Sequence, residues 1–243
     1  MVPLATTARK PLFIEVIAST LEEAIIADQA GASRIELAID LQRGGLTPPA
    51  TLVQSVVSSI NIPTRVMLRE GPGFEIASIS ELDTLVAKAR ELSRIRIDGF
   101  VTGFLKGGEL HLDALHRILA AAPATPFTFH NALERSSNLI TAVDQLRQLP
   151  QFDTLLIHGH GDTPEAALAS LTKVARRWTS PQRSLLINGY AADDIARLHP
   201  RFPFATSFHF GSQVRTPALP YPQGHLDRAK IAATISLINS APH

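Results

Sequence analysis

Short apolar runs alternate with amphipathic stretches along the whole chain. Residues 12–18 (LFIEVIA) read as a strand. The STLEEAIIADQAG that follows reads as a helix capped by Ser19 or Thr20 and ended by Gly31. Residues 34–39 form a second strand, and Pro48 and Pro49 open a helix that runs to about Ser59. The pattern continues with a strand at 64–69 and a helix at 79–94, then a strand at 99–104 and a helix at 111–122. Strands at 126–133, 154–159, 183–190 and 205–212 complete the series, with helices at 138–149, 163–178, 192–198 and 226–239. Eight β–α units of roughly thirty residues each predict a single-domain (β/α)8 TIM barrel over residues 1–243, with 1–11 as an N-terminal extension. A doubly wound open sheet is the alternative, but the turn after the first strand, ASTLEE, lacks the glycine fingerprint of that fold.

Composition narrows the chemistry. Hydrophobic residues make up 45% and charged residues 19% of the chain, so a sizeable core can be buried. Lys+Arg at 23 against Asp+Glu at 22 leaves a net charge of +1, which argues against nucleic acid or an anionic membrane as main partner. With no cysteine, a disulfide scaffold, a thiolate nucleophile and a thiolate metal site are excluded. Schiff-base chemistry is confined to Lys10, Lys88, Lys106, Lys173 and Lys230, and Lys106 sits on a glycine turn, where a solvated side chain is expected. No apolar run reaches membrane-spanning length and MVPLATTARKP does not read as a secretory signal, so a cytoplasmic protein is expected.

Strand alternation then sorts the side chains. Placing branched and aromatic residues toward the helices turns Glu15, Glu36, Met67, Arg69, Thr128, His130, Leu186, Asn188, Ser207, His209 and Gly211 inward, together with Thr102, if Val101 faces out. A barrel interior built for stability alone would carry Val, Ile and Leu at such places. The catalytic candidates are therefore Glu15, Glu36, His130 and His209, carboxylates and imidazoles suited to proton transfer. The substrate- or anion-binding candidates are Arg69, Thr102, Asn188, Gly189, Gly211 and Ser212. Arg69 has two readings: a fork for phosphate or carboxylate, or a counterion consumed by Glu15 and Glu36. Asn188-Gly189-Tyr190 and Phe210-Gly211-Ser212 are either anion-cradling turns or ordinary tight turns. His158-Gly159-His160, with Asp162, is either a divalent-metal chelate or a pair of exposed loop histidines. Met67 reads as a core filler.

FIEVIASTLEEAIIADQAGASRIEL, Gly44–Pro48 (GGLTP), VMLR, DGFVTGFL and TFHNAL together resemble the CutC family of TIM-barrel copper homeostasis proteins. The resemblance runs from about Phe13 to the eighth strand. It implies copper handling, copper as the ion concerned, and a homo-oligomer. The family commonly carries Cys where this chain has Ile17 and Ala38, and Arg-Pro-Arg-Gly-Gly where it has Arg69-Glu70-Gly71-Pro72-Gly73. Its His-Arg, Thr-Ser-Gly and His-Ser-Ser become His130-Asn131, Ile157-His158-Gly159 and His209-Phe210-Gly211, marking a divergent member. Cu(I) prefers soft thiolate or thioether ligands, and Met1 and Met67 are the only sulfur donors here. Two functions are thus expected: a copper-linked protein binding a metal ion or small molecule, or an acid–base lyase, isomerase or hydrolase. The latter would act on a small sugar-like or phosphorylated substrate at the C-terminal mouth of the barrel.

Overall fold

Strands and helices alternate as the apolar pattern requires: β1 (Phe13–Ala18), α1 (Leu21–Gln29), β2 (Arg34–Leu37), α2 (Ala50–Ser59), β3 (Thr64–Met67), α3 (Ile79–Leu92), β4 (Gly99–Thr102) and α4 (Leu112–Ala121). The second half supplies β5 (Phe127–Phe129), α5 (Leu139–Leu146), β6 (Phe152–Ile157), α6 (Pro164–Trp178), β7 (Ser184–Asn188), α7 (Ala192–Leu198), β8 (Ser207–Phe210) and α8 (Arg228–Ser240). This computed structural model describes residues 12–159, 161, 163–198, 202, 204–218 and 224–240. The expected extension at 1–11, His160, Asp162 and part of the proline-rich segment after β8 lie outside them. The eight strands are parallel and close in the order β1 to β8, with β8 returning to β1. The fold is a (β/α)8 barrel.

Local chemistry starts the helices where the sequence places them. Thr20 Oγ1 accepts from Glu23 N at 3.1 Å, and Ser78 Oγ accepts from Glu81 N at 3.1 Å while Glu81 Oε2 accepts from Ala77 N at 2.8 Å. Thr163 caps α6 with Pro164 in its first turn. Strand alternation then divides the apolar residues between two layers. Ile14, Val16, Ile35, Leu37, Val66, Leu68, Phe100, Phe127, Phe129, Leu185, Ile187, Phe208 and Phe210 pack against the helices. Inside, a small cluster of Ile17, Ala38, Leu41, Met67 and Val101 fills the barrel. Removing a side chain such as Phe127 from the outer layer would cost about 3–5 kcal/mol through lost burial and the cavity left behind.

Two sequence readings are corrected here. In β4 it is Phe100 that faces the helices, with its ring 5.3 Å from that of Phe127, and Val101 that faces inward. Thr102 is consequently not in the barrel interior: its hydroxyl donates to Leu68 O at 2.9 Å, stapling β4 to β3. The glycines carried the correct phase. A Cβ on Gly99 would lie 2.6 Å from Pro126 O and 3.2 Å from Arg65 Nε, and one on Gly103 would lie 2.7 Å from His130 Nδ1. Gly99 leaves room for the Pro126 carbonyl and the Arg65 side chain, Gly103 for the His130 ring, and Val101 shares their parity. The fifth strand, expected to run to 133, stops at Phe129. His130 Nδ1 accepts from Ala132 N at 3.2 Å, which starts a 3-10 turn at Asn131–Arg135.

Candidate active site

The C-terminal ends of the strands surround a cavity of about 310 Å³. Glu36 from β2, Met67 and Arg69 from β3 and its end, His130 from the end of β5, Asn188 from β7 and His209 from β8 line it. This is the end of the barrel where catalytic groups collect. Glu15 does not line the cavity: it is fully buried and bonded to His209, which does.

Strand register builds the acidic corner. Glu15 is level with Arg34 on one side and His209 on the other, and Glu36 is level with Ile17. Arg34 Nε–H donates to Glu15 Oε2 at 2.5 Å, and His209 Nδ1–H donates to Glu15 Oε1 at 2.9 Å. Burial by itself would raise the Glu15 carboxyl, but the Arg34 charge and the His209 hydrogen bond outweigh it and lower it to about 2. Glu36 has the opposite fate. Its Oε2 is buried without a hydrogen-bond partner, 3.7 Å from His209 Nδ1. Burial, reinforced by the Glu15 charge, raises its carboxyl to about 7 against the pull of His209 and Arg34. His209 is held above the usual imidazole range: burial lowers it, and the Glu15 hydrogen bond with the Glu36 and Glu15 charges more than reverses that. Two carboxylates side by side thus sit in different protonation states near neutral pH, the arrangement that acid–base chemistry uses.

Arg69 is placed by loops on either side. Thr47, from the GGLTP segment, accepts Arg69 N at its hydroxyl (2.8 Å), and both its hydroxyl and its amide donate to Arg69 O (2.9 and 2.8 Å). The guanidinium donates to the carbonyls of Gly44 (2.9 Å), Gly71 (2.8 Å), Gly73 (3.2 Å) and Pro72. Its carbon sits 5.1 Å from the centre of the Phe74 ring. Gly44, at φ +87°, must be glycine: a Cβ there would lie 3.0 Å from Arg69 Nη1. The expected pairing of Arg69 with Glu15 or Glu36 is therefore corrected. Arg34 holds Glu15 instead, and no carboxylate among the described residues lies within 4.0 Å of Arg69. Arg34 was missed because its partner across the sheet depends on register, although it shares the inward parity of Glu36.

His130 is the fourth element. Burial, aided by the nearby Arg69 charge, lowers its imidazole to about 3, so it is neutral at physiological pH. Its Nε2 is buried and has no hydrogen-bond partner among the described residues. Asn188 Oδ1 is in the same condition. Gly189 (φ +86°) and Ser212 also border the cavity, but the Gly211 amide is already committed: it donates to Gln213 Oε1 at 3.1 Å. Gly211 is thereby corrected as a free anion donor, and a Cβ on Gly189 would run into the His158 ring, which alone accounts for that glycine. His158 stacks on Tyr190 with ring centres 4.9 Å apart, and its amide donates to Glu134 Oε2 at 2.8 Å. Lys106 is exposed on a short hairpin, away from the cavity.

One group of His, Asp and Glu donors converges among the described residues: Glu15, Glu36 and His209, each with a ligand atom within 4.8 Å of the others. Two carboxylates and an imidazole, with Arg34 bound to one of the carboxylates, are not the soft set that Cu(I) selects. Met67 borders the cavity from within an apolar cluster that includes Ile17 and Ala38, the positions where the family's cysteines were expected, so no thiolate stands beside it. The residues present do not fit a Cu(I) centre.

Comparison with known proteins agrees with this architecture. A protein named as a family protein CutC from Histophilus somni is 33% identical over 137 residues, which is 56% of this chain and 56% of the relative. The human copper homeostasis protein cutC homolog is 31% identical over 153 residues, 63% of this chain and 56% of that protein. The matches thus span a little over half the length of these relatives. Among solved structures, a CutC from Streptococcus agalactiae superposes with a TM-score of 0.71 at 23% identity, covering 82% of this chain and 97% of that one. The model of the CutC family matches residues 12–201, and the chain belongs to that family.

Proposed function

We propose that this barrel shares the copper-homeostasis association carried by the name of its human relative, and that its own chemistry is proton transfer on a small anionic organic compound. The observation that carries the second part is a coincidence of unmet groups. Five buried side-chain atoms lack a hydrogen-bond partner among the described residues, and three of them, on Glu36, His130 and Asn188, belong to this one cavity. Buried polar groups are ordinarily satisfied within the protein or by what it binds. Glu36, poised at about 7, is the base or acid, and His209 is its partner. Arg69 supplies a positive charge that no carboxylate cancels. The copper association then rests on the organic substrate rather than on Cu(I) held in the barrel, since the donor set does not suit that ion. A cytoplasmic location and a homo-oligomeric state accompany this reading as family-level proposals. No helix among the described residues is long and apolar enough to cross a membrane.

The test is hydrogen exchange at carbon. The protein is incubated in D2O with small keto acids, hydroxy acids and sugar phosphates, and loss of C–H signals is followed by proton NMR. Exchange or turnover is expected with one of them, slowed by about 10²–10⁴-fold in Glu36→Gln. No reaction across the panel, or an unchanged rate in that variant, rejects the acid–base role.

A further inference from the structure

The imidazole of His130 has a defined tautomer. Its Nδ1 accepts the Ala132 N–H at 3.2 Å, so that nitrogen carries a lone pair and not a proton. In a neutral ring the proton then resides on Nε2. That Nε2–H has no acceptor among the described residues, although the ring lines the cavity. The ring is also held in place. It lies against Gly103, where an alanine Cβ would come within 2.7 Å of Nδ1 and 2.9 Å of Cε1. The Phe74 ring is 5.4 Å away at 57°, and the Phe129 ring 6.1 Å away at 66°. A preorganised donor, already stripped of water and facing no competing acceptor, costs no reorganisation when negative charge develops beside it.

From this geometry we propose that His130 donates its Nε2–H to the carbonyl oxygen of the substrate, and that the substrate is a small carbonyl compound with an adjacent C–H and an anionic group. The inference rests on the acid–base reading of the same site and adds the substrate class to it. The step is enolisation. The Glu36 carboxylate takes the proton from the carbon next to the carbonyl, and the C–H electron pair becomes the new carbon–carbon double bond. The carbonyl π pair moves onto oxygen, where the His130 Nε2–H and the Arg69 charge meet it. Return of the proton restores the carbonyl compound. A neutral imidazole suits this role because it carries no charge that burial would have to strip of water. The cavity of about 310 Å³ is at the small end of ligand sites, which span about 300–1,000 Å³.

The first measurement is made on protein labelled with [¹⁵N]histidine, the His130 signals being assigned by their absence in His130→Gln. A proton on Nε2 and none on Nδ1 is expected, unchanged between pH 5 and 8. A proton on Nδ1, or on both nitrogens at pH 7, overturns the inference whatever the protein catalyses. The second measurement titrates the wild type with 2-oxobutyrate, a carboxylate probe, and with dihydroxyacetone phosphate, a phosphate probe. A saturable shift of the His130 Nε2–H with one of them supports the inference and identifies the anionic group, and no shift with either overturns it. The third compares C–H exchange rates of that probe in D2O. His130→Leu is expected to slow exchange about 10²–10³-fold, with partial recovery in His130→Gln, which retains an N–H donor. Equal rates in His130→Leu and wild type remove His130 from the chemistry and leave the acid–base reading intact. A wild-type rate in Glu36→Gln with a slow His130→Leu does the reverse: it removes Glu36 as the base and keeps the His130 donor.

Discussion

At the N-terminal end of the barrel interior, Arg65 donates to both Asp153 oxygens (2.7 and 2.6 Å), to Asp98 Oδ2 (3.1 Å) and to Thr128 Oγ1 (2.5 Å). Arg34 reaches Asp98 at 3.4 Å and Glu15 at 2.5 Å. At the C-terminal end, among the described residues, Arg69 faces carbonyls and no carboxylate, and Glu36 Oε2, His130 Nε2 and Asn188 Oδ1 have no partner. Both ends are polar, charged and largely buried. They differ in satisfaction and not in access: the lower network borders a cavity of its own, of about 980 Å³, yet completes its hydrogen bonds, and the upper one leaves three buried atoms without a partner among the described residues. A polar barrel interior is therefore not in itself a sign of function. The sign is the part of it whose hydrogen bonds the protein does not complete.

The sharpest way to break this contrast is to open the closed end. Arg34→Met would leave the fully buried Glu15 without its guanidinium, and a loss of about 3–5 kcal/mol in urea unfolding at pH 7 is expected. A loss below about 1 kcal/mol would mean that the lower network is as loosely satisfied as the upper one.

The open end should respond in the opposite sense. The rise of the Glu36 carboxyl from 4.5 to about 7 means the folded state holds this proton more tightly than the unfolded chain does. Its contribution to stability is complete below about pH 4.5 and is lost as pH rises through about 7, an effect on the order of 3 kcal/mol. Glu36→Gln mimics the protonated form, so its stability relative to wild type should climb between pH 5 and 8. A difference that stays flat with pH would place the Glu36 carboxyl in the ordinary range. His130, lowered to about 3, works the other way in both proteins: it withdraws stability as pH falls below about 6.5, and it cancels in the comparison.

A smaller effect concerns Arg69. If its charge awaits an anion, phosphate or 2-oxobutyrate at constant ionic strength should raise the melting temperature, by the equivalent of about 2.7 kcal/mol at a hundredfold excess over the dissociation constant. Arg69→Met should abolish the gain. Identical melting curves with and without anion would reduce Arg69 to a clamp for the loops at Gly44 and Gly71–Gly73. The smallest expected effect is with copper. Anaerobic titration of tag-free protein against a Cu(I) competitor should show no stoichiometric site at sub-picomolar affinity, and finding one would contradict the reading of Glu15, Glu36 and His209 as a set unsuited to that ion.

The alternation of apolar and polar residues determined that eight strands and eight helices would form, and it determined the inward face of six of the strands, where branched or aromatic residues marked the other. That follows from the two-residue period of a strand, a local property that needs no partner. It misled at Val101 and Thr102, where Val101 is branched yet faces inward, and the phase was carried by Gly99, pressed against Pro126 O and Arg65, and Gly103, pressed against His130. The residue types of the site were legible too: Glu15, Glu36, Arg69, His130, Asn188 and His209 stand out against an apolar strand background. Who pairs with whom was not. Whether Glu15 meets Arg34 or Arg69, whether the Gly211 amide is free or bound to Gln213, and which of two carboxylates keeps its proton all depend on strand register and loop path. Those are set by contacts between residues far apart in the chain, and electrostatic differences between neighbouring carboxylates change over a few ångströms, a scale that only the folded barrel defines.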